Sequence, residues 1–304
     1  MLHVPRLSKA SAPYAFIAPF FVFFVLFVLM PIVYSLWLSL HELVGMYAPL
    51  SFVGLANYEK LVSDHRFLHS LVVTLEYTIF QVVFMVFFAT VLALVLNIGS
   101  LRGRNVFRLV FFFPVITSFI VAAMIFKLLL DKEMGLFNIA LKSFHLQPQA
   151  WLETPRTALP SLITIGIWRW TGYQMVLLLA GLQGIPSELY DAARVDGAGT
   201  FRTIFRVTLP LLLPVIFFVV VMSIIGSLQL FDEPFILNMH GGGVGSGGPA
   251  DSMLSTAIYL YQMGFVDFKL GYASAVGYAL TALILGVSIL QIVTLGRRAG
   301  FAEI

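Results

Sequence analysis

Six long apolar stretches constrain this chain more than any other feature. A helix needs roughly 20 mostly apolar residues to cross the hydrocarbon core of a bilayer. Residues 13–40, 71–96, 107–130, 159–182, 209–231 and 273–295 each reach that length. Backbone polar groups in lipid must bond within their own segment, so runs of this kind are expected to be helices. Composition agrees: 60% of the 304 residues are hydrophobic and 11% are charged, where a soluble domain carries about 25% charged residues. The expected fold is an all-α integral membrane domain over 1–304 with six transmembrane helices. Arg6 and Lys9 ahead of an apolar run could open a signal peptide. The run 15–40 is longer than the roughly 7–15 residues of a signal sequence and no A-x-A pattern closes it, so a retained first span is expected.

Orientation follows from Lys and Arg, which favour the cytoplasmic side. With the N-terminus inside, the inside segments hold Arg6, Lys9, Arg102, Arg104, Arg108, Arg194, Arg202, Arg206, Arg297 and Arg298 against only Glu188, Asp191, Asp196 and Glu303. The outside loops, about 42–70, 131–158 and 232–272, carry more acid than base. Both termini are therefore expected in the cytoplasm. The excess of base is a topology signal, and no nucleic-acid partner is expected.

Several chemistries are excluded. There is no cysteine, hence no disulfide or thiolate site. His65 and His69 lie four apart in an expected loop, without the glutamate of a zinc-hydrolase helix, and no metal site is expected. Gly243–Gly248 satisfies G-x-G-x-x-G but follows no strand and opens no helix, and no GxxxxGK[ST] occurs, so the chain is not expected to bind ATP. Glu76 is the one intramembrane carboxylate on which a proton- or sodium-driven transporter could lean. An intramembrane enzyme would need a Ser/His, paired-Asp or HExxH constellation that the spans lack.

The loop 184–208 between the fourth and fifth stretches carries the most local information. Pro186 stops the preceding helix, Ser187 is a good N-cap, and Glu188 in the first turn suits the helix dipole. A short helix is predicted over 188–195, broken at Asp196-Gly197-Ala198-Gly199. Thr200 can cap a second short helix to about Arg206, and Leu209-Pro210 opens the fifth span. The product is a helix–turn–helix elbow whose Ala192 and Ala193 would let another protein approach closely. Residues alone leave it equally open that this loop only connects two spans.

This segment resembles the EAA loop of the membrane subunits of binding-protein-dependent ATP-binding cassette importers: E-A-A, three residues, G, nine residues, I-x-L-P. Here it reads Asp191-Ala192-Ala193, Gly197, Val207-Thr208-Leu209-Pro210, with every gap kept and Asp191 and Val207 in place of Glu and Ile. The resemblance implies a coupling helix docked in a cleft of an ATPase subunit, with Glu188, Asp191, Ala192, Ala193, Gly197, Leu209 and Pro210 as coupling residues. It covers almost the whole chain and points to the carbohydrate-uptake branch, which implies a sugar or related solute of oligosaccharide, polyol or glycerol-phosphate type. Phe52-Val53-Gly54-Leu55-Ala56-Asn57-Tyr58 is similar to that branch's FVGLxNY. Ser227-Leu228-Gln229-Leu230-Phe231-Asp232 followed by Gly241-Gly242-Gly243 is similar to SLQxFD…GGGP, interrupted here by Val244. Leu270-Gly271-Tyr272-Ala273-Ser274-Ala275 is similar to LGYAAA. The implied partners are a second, different permease forming a heterodimer, two ATPase subunits that hold the ATP and Mg, and an extracytoplasmic solute-binding protein.

Polar groups within spans are costly and often functional. Arg169, Trp170, Tyr173 and Gln174 fall in the fourth stretch, with Arg169 about ten residues, or roughly 15 Å, from its start. The sequence equally allows Trp168 and Trp170 to form an interface belt with Arg169 snorkelling to water. By its distance from the following loop, Tyr173 matches a sugar-contacting tyrosine of maltose-permease members of the family. Gln229 and Asp232 fall in the region that contacts sugar in related permeases, or simply mark the water boundary. Pro31 and Pro114 are expected to kink their spans.

Overall fold

The computed structural model describes residues 12–45, 49–98, 102–238 and 246–296. Arg6, Lys9, Arg297, Arg298, Glu303 and the glycines 241–243 lie outside the described residues. Among the described residues, four helical stretches are long and apolar enough to cross a membrane: Phe16–Ser39, His65–Leu96, Thr200–Leu228 and Leu270–Thr294.

The chain forms two compact units, Met1–Ser63 with Met263–Tyr278 and Asp64–Gln262 with Ala279–Ile304. In the first, α1 (Ala12–Phe24) and α2 (Met30–Ser39) are joined by one π-helical turn, Val25–Leu29. That turn answers Pro31, which has no N–H and would collide with a carbonyl four residues back: widening the helix re-forms the bond as Met30 N–H to Val25 C=O. Beyond α2, β1 (His41–Glu42) pairs antiparallel with β2 (Ser51–Phe52), and α3 (Ala56–Ser63) follows. The family-like segments of this unit lock onto the end of α2. The buried Asn57 amide donates to the Ser39 and His41 carbonyls at 2.8 and 3.0 Å, and the Tyr58 and Ser39 hydroxyls pair at 2.7 Å. A Cβ on Gly271 would overlap the His41 carbonyl oxygen, and Lys60 lies over the Tyr272 ring at 4.9 Å.

In the second unit, α4 (His65–Leu96) starts six residues before the predicted span, because Asp64 caps it by accepting from the Arg66 and Phe67 amides. His65 and His69 therefore stand on a helix rather than in a loop. The predicted span 107–130 is broken: α5 (Arg104–Ile116) and α6 (Phe119–Leu129) meet at 99°. Pro114 accounts for more than a kink, since α5 ends two residues after it. Beyond α6 come α7 (Leu136–Ser143) and α8 (Pro155–Gln183). At 29 residues α8 is long enough to cross a membrane, about 43 Å at 1.5 Å per residue, yet it is more polar than the four stretches above.

The elbow comprises α9 (Ser187–Val195) and α10 (Thr200–Thr203). Two details differ from expectation. Ser187 is the first helical residue, Pro186 being the cap, and no side chain caps the turn. The second helix does not stop near Arg206. It passes through a π turn, Ile204–Thr208, into α11 (Leu209–Leu228), with the Leu209 amide bonded to the Ile204 carbonyl just before Pro210. This is the same adjustment that precedes Pro31. Further α-helices among the described residues are α12 (Asp232–Leu237) and α13 (Thr256–Tyr261), and α14 (Leu270–Gln291), whose residues to Tyr278 belong to the first unit.

Two buried apolar clusters brace the second unit. One takes Tyr77 from α4, Ala158, Leu162 and Ile165 from α8, and Leu230 and Leu237 after α11. The other takes Ala89, Ala93 and Leu96 from α4, Met175, Leu178 and Leu182 from α8, and Leu212 and Val219 from α11. Chain order through the clusters makes α4 and α8 run in the same sense and α11 against them. The second cluster lies at the elbow end.

Candidate functional site

Between the two clusters the same three helices change character and enclose a cavity of about 470 Å³. All six residues picked out from the sequence for the solute pathway line it: Arg169, Trp170, Tyr173, Gln174, Gln229 and Asp232. Arg169 comes fourteen residues into α8, about 21 Å along its axis and near its middle. It is buried, and it does not snorkel. Its Nη1 donates to the carbonyls of Thr117 at 3.2 Å and Pro114 at 3.5 Å. Those carbonyls are among the groups that a helix terminus leaves without partners. The guanidinium thus holds the break between α5 and α6 and suits the negative end of the α5 dipole. It also faces the Phe119 ring at 4.6 Å and the Trp170 ring at 5.8 Å.

Glycine makes this approach possible. A Cβ on Gly172, one turn beyond Arg169, would overlap the carbonyl oxygen and carbon of Phe111. With hydrogen there, the α5 backbone lies directly against α8, as small residues permit in membrane helices.

The cavity wall is a chain of hydrogen bonds with two loose ends. Ser227 donates to Gln81 Oε1 at 2.7 Å, Gln174 Nε2 donates to Ser223 Oγ at 3.0 Å, and Ser223 donates to the Val219 carbonyl. Gln174 Oε1 and Arg169 Nε are buried without a partner. Buried polar atoms are normally satisfied, so an orphaned acceptor and donor beside one cavity suit a ligand carrying hydroxyls. Trp170, Tyr173 and Phe231 add ring surface, with Phe231 packed on Phe235 at 5.0 Å. Glu233 at the mouth of the cavity is buried; that burial raises its carboxyl above the ordinary range, opposed by its own backbone amide and by Arg169. Ser223 was not singled out from the sequence, and Ser227 and Glu233 were not assigned to the solute pathway. A serine in a membrane helix usually bonds its own backbone, as Ser223 does, and gives little signal. Glu76 is exposed and does not line the cavity.

At the elbow, the Asp196-Gly197-Ala198 turn closes α9 with the two bonds of a Schellman motif: Gly197 N–H to Arg194 C=O at 3.0 Å and Ala198 N–H to Ala193 C=O at 2.9 Å. Gly197 takes a φ of +70°, where a side chain would be strained. The two alanines part company. Ala192 is exposed, whereas Ala193 is buried against its own chain, so only Ala192 is free for a partner. Asp191 and Glu188 are exposed, with Asp191 paired to Arg194 at 3.0 Å. Leu209 and Pro210 open α11. The elbow also exposes Val195, Phe201 and Phe205.

The model of the binding-protein-dependent transport system inner membrane component family matches residues 85–298. The chain belongs to this family. It is a permease of an ATP-binding cassette importer, a multi-pass transport component of the inner membrane. The permease is 36% identical to the arabinooligosaccharides transport system permease protein AraP of Bacillus subtilis, over 94% of its own length and 88% of that protein's. It is 33% identical to the trehalose/maltose transport system permease protein MalF of Thermococcus litoralis, over 94% of both. Its fold matches a chain in the crystal structure of a bacterial alginate ABC transporter in complex with an alginate pentasaccharide-bound periplasmic protein. That match has a TM-score of 0.83 and 22% identity, and covers 96% of both chains.

The role of Arg169 leads to a prediction. Arg169→Met should leave the Thr117 and Pro114 carbonyls unpaired, lower the thermal midpoint of the purified permease by several degrees, and cut uptake at least about tenfold. Arg169→Lys, which lacks the planar fork, should fall in between. Thermal melts and vesicle uptake check both.

Proposed function

We propose that the permease forms half of the pathway for a sugar or related polyhydroxylated solute. The observation that carries this reading is the cavity where ring faces meet an orphaned donor and acceptor, Arg169 Nε and Gln174 Oε1. Sugars offer flat C–H faces and many hydroxyls, and so suit such a lining. The names of AraP and MalF support the same class. Arg169, Trp170, Tyr173, Gln174, Gln229 and Asp232 contact the solute in this reading.

The rest of the reading concerns topology and drive. The chain is one transmembrane permease domain that crosses the membrane six times, with the bent pair α5–α6 and the polar α8 each counted as a span and both termini inside. The antiparallel course of α11 against α4 and α8 is what this topology requires. The elbow is then cytoplasmic, and α9 docks on one of two ATPase subunits that hold ATP and Mg. A second, homologous permease completes the pathway, and an extracytoplasmic binding protein delivers the solute.

Reconstitution with these partners tests the whole reading. Accumulation of an oligosaccharide in proteoliposomes should require both ATP and the binding protein. Accumulation driven by a proton or sodium gradient without ATP would overturn it.

A further inference from the structure

A second pocket of about 430 Å³ lies beyond the first apolar cluster, at the end away from the elbow. It shares two walls with the cavity. Helix α6 gives Phe119 to the cavity and Lys127 to the pocket, eight residues or about 12 Å apart. Helix α12 gives Glu233 to the cavity, while Leu237 and Asn238 at its far end line the pocket.

The pocket is a built site. Asn238 is more than nine-tenths buried, yet its Nδ2 has no hydrogen-bond partner. The adjoining wall, Ser246 to Pro249, is fixed from α4: Arg66 grips the Asp251 carboxylate with bonds of 2.7 and 3.1 Å, and His69 Nε2 lies 3.2 Å from the Asp251 carbonyl oxygen. Gly248, at φ +75°, brings that wall against the Asn238 carboxamide, where a Cβ would come within 2.9 Å of Oδ1. Asp131 spends one carboxylate oxygen on the amides of Glu133 and Met134, and Glu153 is exposed.

We infer that this pocket is an outer subsite for a neutral polyhydroxylated solute, occupied before the solute passes α6 and α12 into the cavity. The inference rests on the sugar-import reading above. Its lining offers an ammonium and an amide donor, Lys127 and Asn238, with two carboxylates, Asp131 and Glu153, as acceptors. Two acids against one base in this lining disfavour an anionic solute.

The absence of cysteine from the chain gives a direct test. Ser246→Cys and Lys127→Cys report on the pocket and Gln229→Cys on the cavity, each followed as maleimide labelling of this chain in the complete transporter. The probes are lactose, maltose and trehalose, with glucose 6-phosphate as the anionic arm. With binding protein present, a neutral sugar at about ten times its dissociation constant should slow labelling of both pocket cysteines about tenfold relative to binding protein alone. Protection by binding protein alone, with no increment from sugar, would make the pocket a docking surface and overturn the inference. Protection of Gln229→Cys without protection of either pocket cysteine would overturn it while leaving sugar import standing. Equal protection by glucose 6-phosphate would overturn the neutral class. Failure of every sugar to protect Gln229→Cys or to be taken up would remove the sugar reading and this inference together.

Discussion

Gly172→Ala is expected to leave almost no assembled permease in the membrane. The added methyl would overlap the Phe111 carbonyl, a backbone group that cannot rotate away. Overpacking costs typically about 1–3 kcal/mol and more where the neighbour cannot yield. Here relief requires α5 to move off α8. That movement would withdraw the Thr117 and Pro114 carbonyls from Arg169 and open the break between α5 and α6. The contrast is Gly286→Ala in α14, where, among the described residues and beyond the helix's own nearby backbone, nothing lies within 4 Å of the new atom. A helical glycine in open space is replaced by alanine at a gain of roughly 0.5–1 kcal/mol. Membrane abundance and thermal melts of the two variants should therefore move in opposite directions.

The second large effect belongs to the elbow. Ala192→Arg should abolish uptake while membrane levels of the chain stay within about twofold, because the site is exposed. In the proposed complex this position meets the ATPase, and a long cation forced into a packed interface costs as much as losing a hot spot, about 2–4 kcal/mol. Ala193→Arg is a poorer probe. Ala193 is buried, so arginine there would dismantle the elbow itself. Val195, on α9 itself and 88% exposed, extends the same face as an apolar group that a partner would cover.

How much of this was legible in the sequence depended on the range of the forces involved. Apolar length placed four of the six expected stretches on helices able to cross a membrane, with starts up to nine residues early, and the glycine and proline chemistry of residues 184–210 located the elbow. The 99° break was not legible. Pro114 announced a disturbance, but its size depends on Arg169 and Gly172, more than fifty residues away. The second elbow helix was read as separate because Leu209-Pro210 looks like a fresh start, whereas a π turn carries the helix through it. The depth of Arg169 was open between a buried and a snorkelling position, and the carbonyls freed at the break decide for burial. The Asn57-Tyr58 and Gly271-Tyr272 segments could be matched only as patterns. Their physical content, an amide and a missing Cβ that secure the end of α2, required the fold.

The central claim is that this chain is driven through α9 by an ATPase. The most direct measurement is the ATPase content of the tagged permease purified in mild detergent after co-expression with its partners. One ATPase subunit per permease chain is predicted for the native sequence, with the ATPase lost from Ala192→Arg while the second permease stays bound. A native chain that transports solute yet brings down no ATPase, or an Ala192→Arg chain that keeps its full complement, would contradict the account.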